Sequence, residues 1–339
     1  MRAIGFSKNL SVDNDDVFEV IDLPEPVAKE RELLVEIEAV SVNPADAKLR
    51  QVLPPLEQGH HVLGFDAVGR VLSTGPGVAE LQPGDLVWYA GALGRQGSNA
   101  EMQVVDERIA SKAPTNITAE EAAALPLTSI TAWEIIFDRF GLTHRGGEGK
   151  TLLIIGGAGG VGSIPIQLAR HFTNLTVIAT ASRPKTRKWV KEMGAHHIIN
   201  HARDMKAQLE RKKIKVDLIA GLTASETHFP AYADIIEPQG KLVLIDDPDA
   251  QKIDISLLKT KSVALIWEFM FTRPMFSTSD MHKQGIYLGQ TAAMIEDGTL
   301  KTTATKNLGP LTVGTLRKAH AIAESGKAVG KTVLGKPQI

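Results

Sequence analysis

The 339-residue chain has no cysteine. Disulfides, thiolate catalysis, iron–sulfur clusters and cysteine-ligated zinc are therefore excluded. It also lacks an excess of charge of either sign: 38 Lys and Arg stand against 39 Asp and Glu, a net charge of −1. Such a balance argues against a general binder of nucleic acid or of anionic membranes. No apolar run approaches the length needed to span a bilayer. The first residues, Met1 to Asn9, lack the long apolar core of a signal peptide. A soluble, cytoplasmic protein is expected. Hydrophobic residues make up 43% of the chain, an ordinary value for a folded protein, and the length suggests two domains.

The most informative stretch is residues 151–170. It reads as a buried strand, a glycine turn and the start of a helix. Gly157, Gly159 and Gly162 have the G-x-G-x-x-G spacing. In a dinucleotide site these glycines serve a tight turn, close backbone approach to a pyrophosphate, and close helix–strand packing. The helix start, with Gly160 and Val161, would offer free N–H groups to phosphate oxygens.

On either side of this motif the hydrophobic pattern differs. Residues 1–115 read as short strands, at 33–40, 67–72, 86–89 and 100–105, separated by glycine and proline turns. Thr118 and Glu121 form a capping box, and a second helix is expected over 128–140. From Thr151, short apolar strands at 151–155, 176–180, 197–199, 216–220 and 241–245 alternate with helical stretches, as in a parallel, doubly wound sheet. Helices near 279–296 and 311–325 and a strand near 332–334 follow. The expected fold class is α/β, with a β-rich domain over 1–126 and 268–339 and a nucleotide-binding domain over 127–267.

The second strand of the doubly wound region ends in Ala181, Ser182, Arg183, Pro184, Lys185. An NAD site usually carries a carboxylate there for the ribose 2′-OH, whereas a cation suits the 2′-phosphate of NADP. Arg183 can clamp a phosphate bidentately, Ser182 can donate to it and Lys185 adds charge. NADPH is the expected cofactor. Leu222 and Thr223 follow the strand at 216–220 and fall at the sheet's carboxyl edge, where ligands bind.

The motifs at 41–48 (SVNPADAK), 64–69 (GFDAVG), 82–87 (QPGDLV), 122–128 (AAALPLT), 131–133 (TAW) and 330–333 (GKTV) span nearly the whole chain. Together they resemble the medium-chain dehydrogenase/reductase superfamily, in particular its quinone oxidoreductase branch and the proteins labelled zinc-type alcohol dehydrogenase-like. The resemblance implies a GroES-like catalytic domain, a Rossmann domain and a homodimer. It also exposes a conflict between label and residues. Zinc-dependent members carry Cys where this chain has Asn43, and Gly-His-Glu where it has Gly64, Phe65 and Asp66. A phenyl ring cannot bind metal, and no cysteine lobe exists near 91–100. His60, His61 and Asp66 remain, but adjacent histidines in a strand face opposite ways. No metal is expected.

Without a Lewis acid, quinones and α,β-unsaturated carbonyls are the easier hydride acceptors, because conjugation spreads charge onto an oxygen that hydrogen bonds can stabilise. The expected function is an NADPH-dependent, zinc-independent oxidoreductase acting on such acceptors. The alternatives are a metal-dependent alcohol dehydrogenase and a low-turnover NADPH-binding structural or sensor protein. Candidate catalytic residues are Asn43, for the oxygen or nicotinamide pocket, Asp46, for positioning or proton relay, and Tyr89. The resemblance places Thr128 on the nicotinamide side, puts Phe271 and Arg273 in a loop over the cofactor, and puts His201 near the adenosine phosphate, where quinone reductases commonly show tyrosine.

Overall fold

The computed structural model describes residues 1–339. It divides into one unit of Met1–Ile130 with Phe271–Ile339 and a second of Thr131–Met270.

The first unit opens with the hairpin β1 (Arg2–Gly5) and β2 (Glu19–Asp22). Then come β3 (Glu32–Val42), α1 (Pro44–Val52), β4 (Asp66–Thr74), β5 (Leu86–Tyr89), β6 (Met102–Asp106), β7 (Ala110–Lys112) and α2 (Ala119–Ala123). The Thr118–Glu121 capping box starts α2 as expected. In β3 the burial alternates: Leu33, Val35 and Ile37 point into the core, and the residues between them are half-buried. This is the period-two pattern of a strand with one face on the core. Helix α3 (Pro126–Trp133) runs directly into one turn of π-helix, Glu134–Arg139, so the helix expected over 128–140 is present but changes its winding partway.

The second unit alternates strand and helix: β8 (Thr151–Ile155), α4 (Gly160–Phe172), β9 (Thr176–Thr180), α5 (Pro184–Glu192), β10 (His197–Ile199), α6 (Met205–Arg211), β11 (Val216–Gly221), α7 (Ser225–Ile235), β12 (Ile236–Leu244) and β13 (Ala264–Trp267). All pairings are parallel, in the order β10-β9-β8-β11-β12-β13. This is the 3-2-1-4-5-6 order of the Rossmann fold. Central strand β8 is buried along its whole length, which explains its uninterrupted apolar run. The sixth strand, β13, escaped the sequence pattern because it is an edge strand with two exposed ends, Ala264 and Trp267.

The chain then completes the first unit with α8 (Thr272–Phe276), α9 (Lys283–Glu296), β14 (Ala304–Leu311), α10 (Val313–Glu324) and β15 (Lys331–Pro337). Its large sheet has the order β14-β15-β3-β4-β5-β7, with β6 also on β3. Strand β14 was not foreseen. It carries Asn307, Gly309 and Pro310, and three register shifts interrupt its pairing with β15.

Candidate active site

In the second unit, the turn between β8 and α4 depends on a glycine outside the recognised spacing. Gly156 has φ +76°, which L side chains rarely adopt, and its N–H donates to Thr180 Oγ1 at 3.0 Å. The tight-turn role expected within the motif thus belongs to the residue before it. Gly157 packs closely instead: a Cβ there would lie 2.7 Å from that of Ala179 on β9. At Gly162 a Cβ would lie 2.4 Å from the Gly156 carbonyl oxygen, so the helix meets the strand too closely for any side chain. Gly159 is different. Its Cβ would meet nothing of the protein nearer than 3.4 Å, and its backbone is extended at φ −75° and ψ 174°. A Cβ at Gly159 would make no contact tighter than the ordinary one with the Gly156 carbonyl. Gly159 caps α4, and the N–H groups of Gly160, Val161 and Gly162 head the helix without intrahelical acceptors. This is a cradle for an anion.

The neighbouring turn follows β9. Ser182 is half-buried, Arg183 and Lys185 are exposed, and Arg183 is the N-cap of α5, its backbone N–H donating to Thr186 Oγ1 at 3.1 Å. Pro184 at the first helical position fixes the turn. His201 lies in the turn after β10. Thr223, after β11, is exposed, with its methyl 2.9 Å from where a Gly156 Cβ would sit; Leu222 packs against the core beside it. These residues come together at the carboxyl ends of parallel strands.

The first unit contains a buried polar network. Strand register builds it: Ser41 pairs with Asp66 across β3 and β4, and Thr332 pairs with Val42 across β15 and β3, which brings Lys331 beside Asn43 and Asp66. Asp66 is fully buried. Its Oδ2 accepts from Ser41 Oγ at 2.7 Å, Asn43 Nδ2 at 2.8 Å and Lys331 Nζ at 2.9 Å, while Oδ1 accepts the Leu127 N–H at 2.7 Å. Lys331 Nζ also donates to the Val42 carbonyl at 3.2 Å and to Asn43 Oδ1. These bonds use all three ammonium protons. Asp46 lies alongside, in the capping box of α1: it accepts the N–H groups of Asn43 at 2.8 Å and Gly64 at 3.1 Å. Burial is the main cause that pushes its pKa up to about 7.

Asn43 and Asp46 therefore meet within one cluster, with both ends of the Asn43 amide engaged inside the protein. Lys331, the largest omission from the sequence reading, joins them. The only signal for it was a cation inside an otherwise strand-like motif at 330–333. Tyr89 lies in the hydrophobic core, fully buried, with no hydrogen-bond partner for its hydroxyl, and burial raises its pKa. The Thr128 hydroxyl is buried and donates back to the Leu125 carbonyl at 3.0 Å. Phe271 is buried against Phe65, with ring centroids 4.7 Å apart, so the phenyl at the expected metal-ligand position is part of an aromatic contact. The Arg273 guanidinium binds Asp280 Oδ2 at 2.8 Å and holds that carboxyl well below its usual range.

The residues at the metal positions do not suit zinc. Asn43 offers a neutral amide already facing an ammonium, Phe65 offers no lone pair, and Asp66 is saturated by four donors. His60 pairs with Glu19 at 2.7 Å and His61 with the Pro54 carbonyl at 2.9 Å, so neither joins Asp66.

Comparison with known proteins agrees with this architecture. Residues 29–115 match the alcohol dehydrogenase GroES-like domain, and residues 160–282 match the zinc-binding dehydrogenase family. A zinc-type alcohol dehydrogenase-like protein of Staphylococcus aureus (strain MRSA252) is 42% identical over 98% of this chain and 99% of its own length. A crystal structure from Rhizobium etli CFN 42, of a protein assigned to the zinc-dependent alcohol dehydrogenases, superimposes with a TM-score of 0.95 at 46% identity, covering 100% of this chain and 99% of that one. Escherichia coli quinone oxidoreductase complexed with NADPH shares the fold, with a TM-score of 0.81 at 22% identity over 99% of this chain and 100% of that one. The chain belongs to the medium-chain dehydrogenase/reductase superfamily, among its zinc-type alcohol dehydrogenase-like members. It is an oxidoreductase of that family.

Proposed function

We propose that this protein is an NADPH-dependent, zinc-independent reductase of quinones or α,β-unsaturated carbonyls. The observation that carries the cofactor reading is the end of β9, where Ser182 and Arg183 stand in place of the carboxylate that NAD would need. Gly159 and the N–H groups of Gly160, Val161 and Gly162 take the pyrophosphate; Ser182, Arg183 and Lys185 take the 2′-phosphate. Thr223 and Leu222 close the strand-end edge. Thr128, Phe271 and Arg273 belong to the nicotinamide side, where the Phe65–Phe271 contact supplies apolar, water-excluding surface.

Bound NADPH supplies the hydride. The protein's part is to hold, orient and exclude water. The residues at the metal positions favour acceptors that need no Lewis acid, in which conjugation spreads the charge delivered by hydride onto oxygen. Asn43 takes a positioning role, clamping Lys331 and Asp66. Asp46, with a pKa pushed up to about 7, can hold a proton near neutrality at its carboxyl oxygens.

The deciding experiment is a screen of NADPH and NADH oxidation against quinones, alkenals and enones. Turnover with NADPH on at least one of these classes, and little with simple ketones, is expected. Tight NADPH binding with no oxidation across the panel would replace this reading with a non-catalytic one.

We further propose a homodimer formed by pairing of the open β13 edges, where Trp267 is 55% exposed. Trp267→Glu should shift the protein to monomer in sedimentation; an unchanged dimer would place the interface elsewhere.

A further inference from the structure

The turn after β10 and the first part of α7 add a second layer to the proposed 2′-phosphate site. His201 is half-buried, and its Nδ1 is buried with no hydrogen-bond partner. His228 of α7 faces it, the two ring centroids 5.8 Å apart and the rings at 73°. Arg183 lies close enough to His201 for its charge to disfavour a proton there. His201 thus neighbours two other groups that can be cationic, Arg183 and His228, and no carboxylate shifts it. The only acidic group that acts on His228 is Asp246, whose two oxygens accept the Ser225 N–H at 2.8 Å and hydroxyl at 2.6 Å. Tyr232, fully buried and neutral, backs His228 at 6.0 Å. Arg203 and Asp204, next along the chain from His201, are exposed to solvent.

In the protein without ligand, burial first, and the neighbouring positive groups second, keep both imidazoles below their usual pKa. A phosphate dianion at Ser182 and Arg183 reverses the local field. It would neutralise the Arg183 charge that repels a proton from His201, and it would itself attract one. An uncharged, half-buried imidazole with an unpartnered nitrogen is well placed for that change.

We propose that His201 and His228 form a proton-linked extension of the 2′-phosphate site, taking up a proton from solvent when a 2′-phosphorylated dinucleotide binds. The histidine pair then discriminates for NADPH over NADH increasingly as pH falls. His228 is the new member; nothing in the strand-end motif points to it. This inference rests on the 2′-phosphate reading above.

Calorimetric titration in two buffers of different ionisation enthalpy, near pH 7, tests it with NADP⁺ and NAD⁺ as ligands. Proton uptake approaching one per site is expected with NADP⁺ and none with NAD⁺. The variant with both His201→Asn and His228→Asn should lose the uptake while keeping its NAD⁺ affinity, which also reports that it is folded. Wild-type affinity for NADP⁺ relative to this variant should rise several-fold from about pH 8 to about pH 6. Undiminished uptake in the variant, or a ratio constant with pH, overturns the proposal. Arg183→Glu separates the two levels of the argument. If it removes the NADP⁺ preference while the histidine variant behaves as wild type, only the histidine role fails. If it affects NADP⁺ and NAD⁺ equally, the 2′-phosphate reading fails and the histidine role with it.

Discussion

Two polar regions of this molecule differ in how they use their hydrogen bonds. In the first unit, Asp66, Lys331, Asn43 and Ser41 satisfy one another inside the core, and each ammonium proton and each Asp66 oxygen has a partner. In the second unit, no side chain caps the start of α4, and the His201 Nδ1 has no partner in the protein. A closed network maintains a structure, whereas an open one prepares for a ligand. At Asn43 and Asp66 the hydrogen bonds are closed within the protein, and the Lys331 ammonium supplies the positive charge there.

The sharpest way to break the comparison is to open the closed network. Lys331→Met leaves Asp66 buried without its cation, and the expected cost is about 3–5 kcal/mol in urea unfolding. Adding Asp66→Asn should recover much of it, since the uncompensated charge is gone. A cost under about 1 kcal/mol for Lys331→Met would mean that the network is not closed in solution.

The open region calls for the opposite experiment. Gly159→Ala places a methyl whose nearest protein neighbour is the Gly156 carbonyl oxygen at 3.4 Å, an ordinary contact, and where the backbone is already extended. Unfolding should therefore change by less than about 0.5 kcal/mol, while NADPH and NADH affinity both fall by about 10- to 100-fold as the pyrophosphate is pushed away. Loss of stability with unchanged affinity would reverse the roles assigned to the two regions.

A smaller effect comes from Asp46, which belongs to the closed region but is not paired with a cation. Its carboxyl titrates near 7 in the folded protein, against an ordinary value of 3.8 for the solvated side chain. The folded state therefore binds the extra proton between these values, and this group makes stability fall as pH rises from about 4 to about 7, flattening above that. The slope is at most about 1.4 kcal/mol per pH unit. Asp46→Asn should flatten the stability profile across that window; an unchanged slope would assign it to another group.

What the sequence made legible follows sequence distance. The glycine turn, the capping box of α2 and the cations after β9 are local, and each was readable from a few adjacent residues. So was the alternation of strands and helices that defines the doubly wound sheet. Lys331 was not readable as a site residue, because it meets Asn43 only when β15 pairs with β3, 288 positions away along the chain. His228 was hidden for the same reason, its partner His201 being on another strand–helix crossover. Gly156 was overlooked because the motif's spacing draws attention to the glycines after it, although Gly156 alone among Gly156, Gly157, Gly159 and Gly162 has a positive φ. Tyr89 looked like a phenol available to a pocket, yet the strand it occupies turns it into the core.

The most direct test of the central claim is the metal content of the purified protein together with NADPH oxidation in the presence and absence of chelator, on the acceptor that the panel identifies. No stoichiometric zinc and equal rates in the two conditions are expected. One zinc per chain, with turnover lost on its removal and restored on its return, would contradict it.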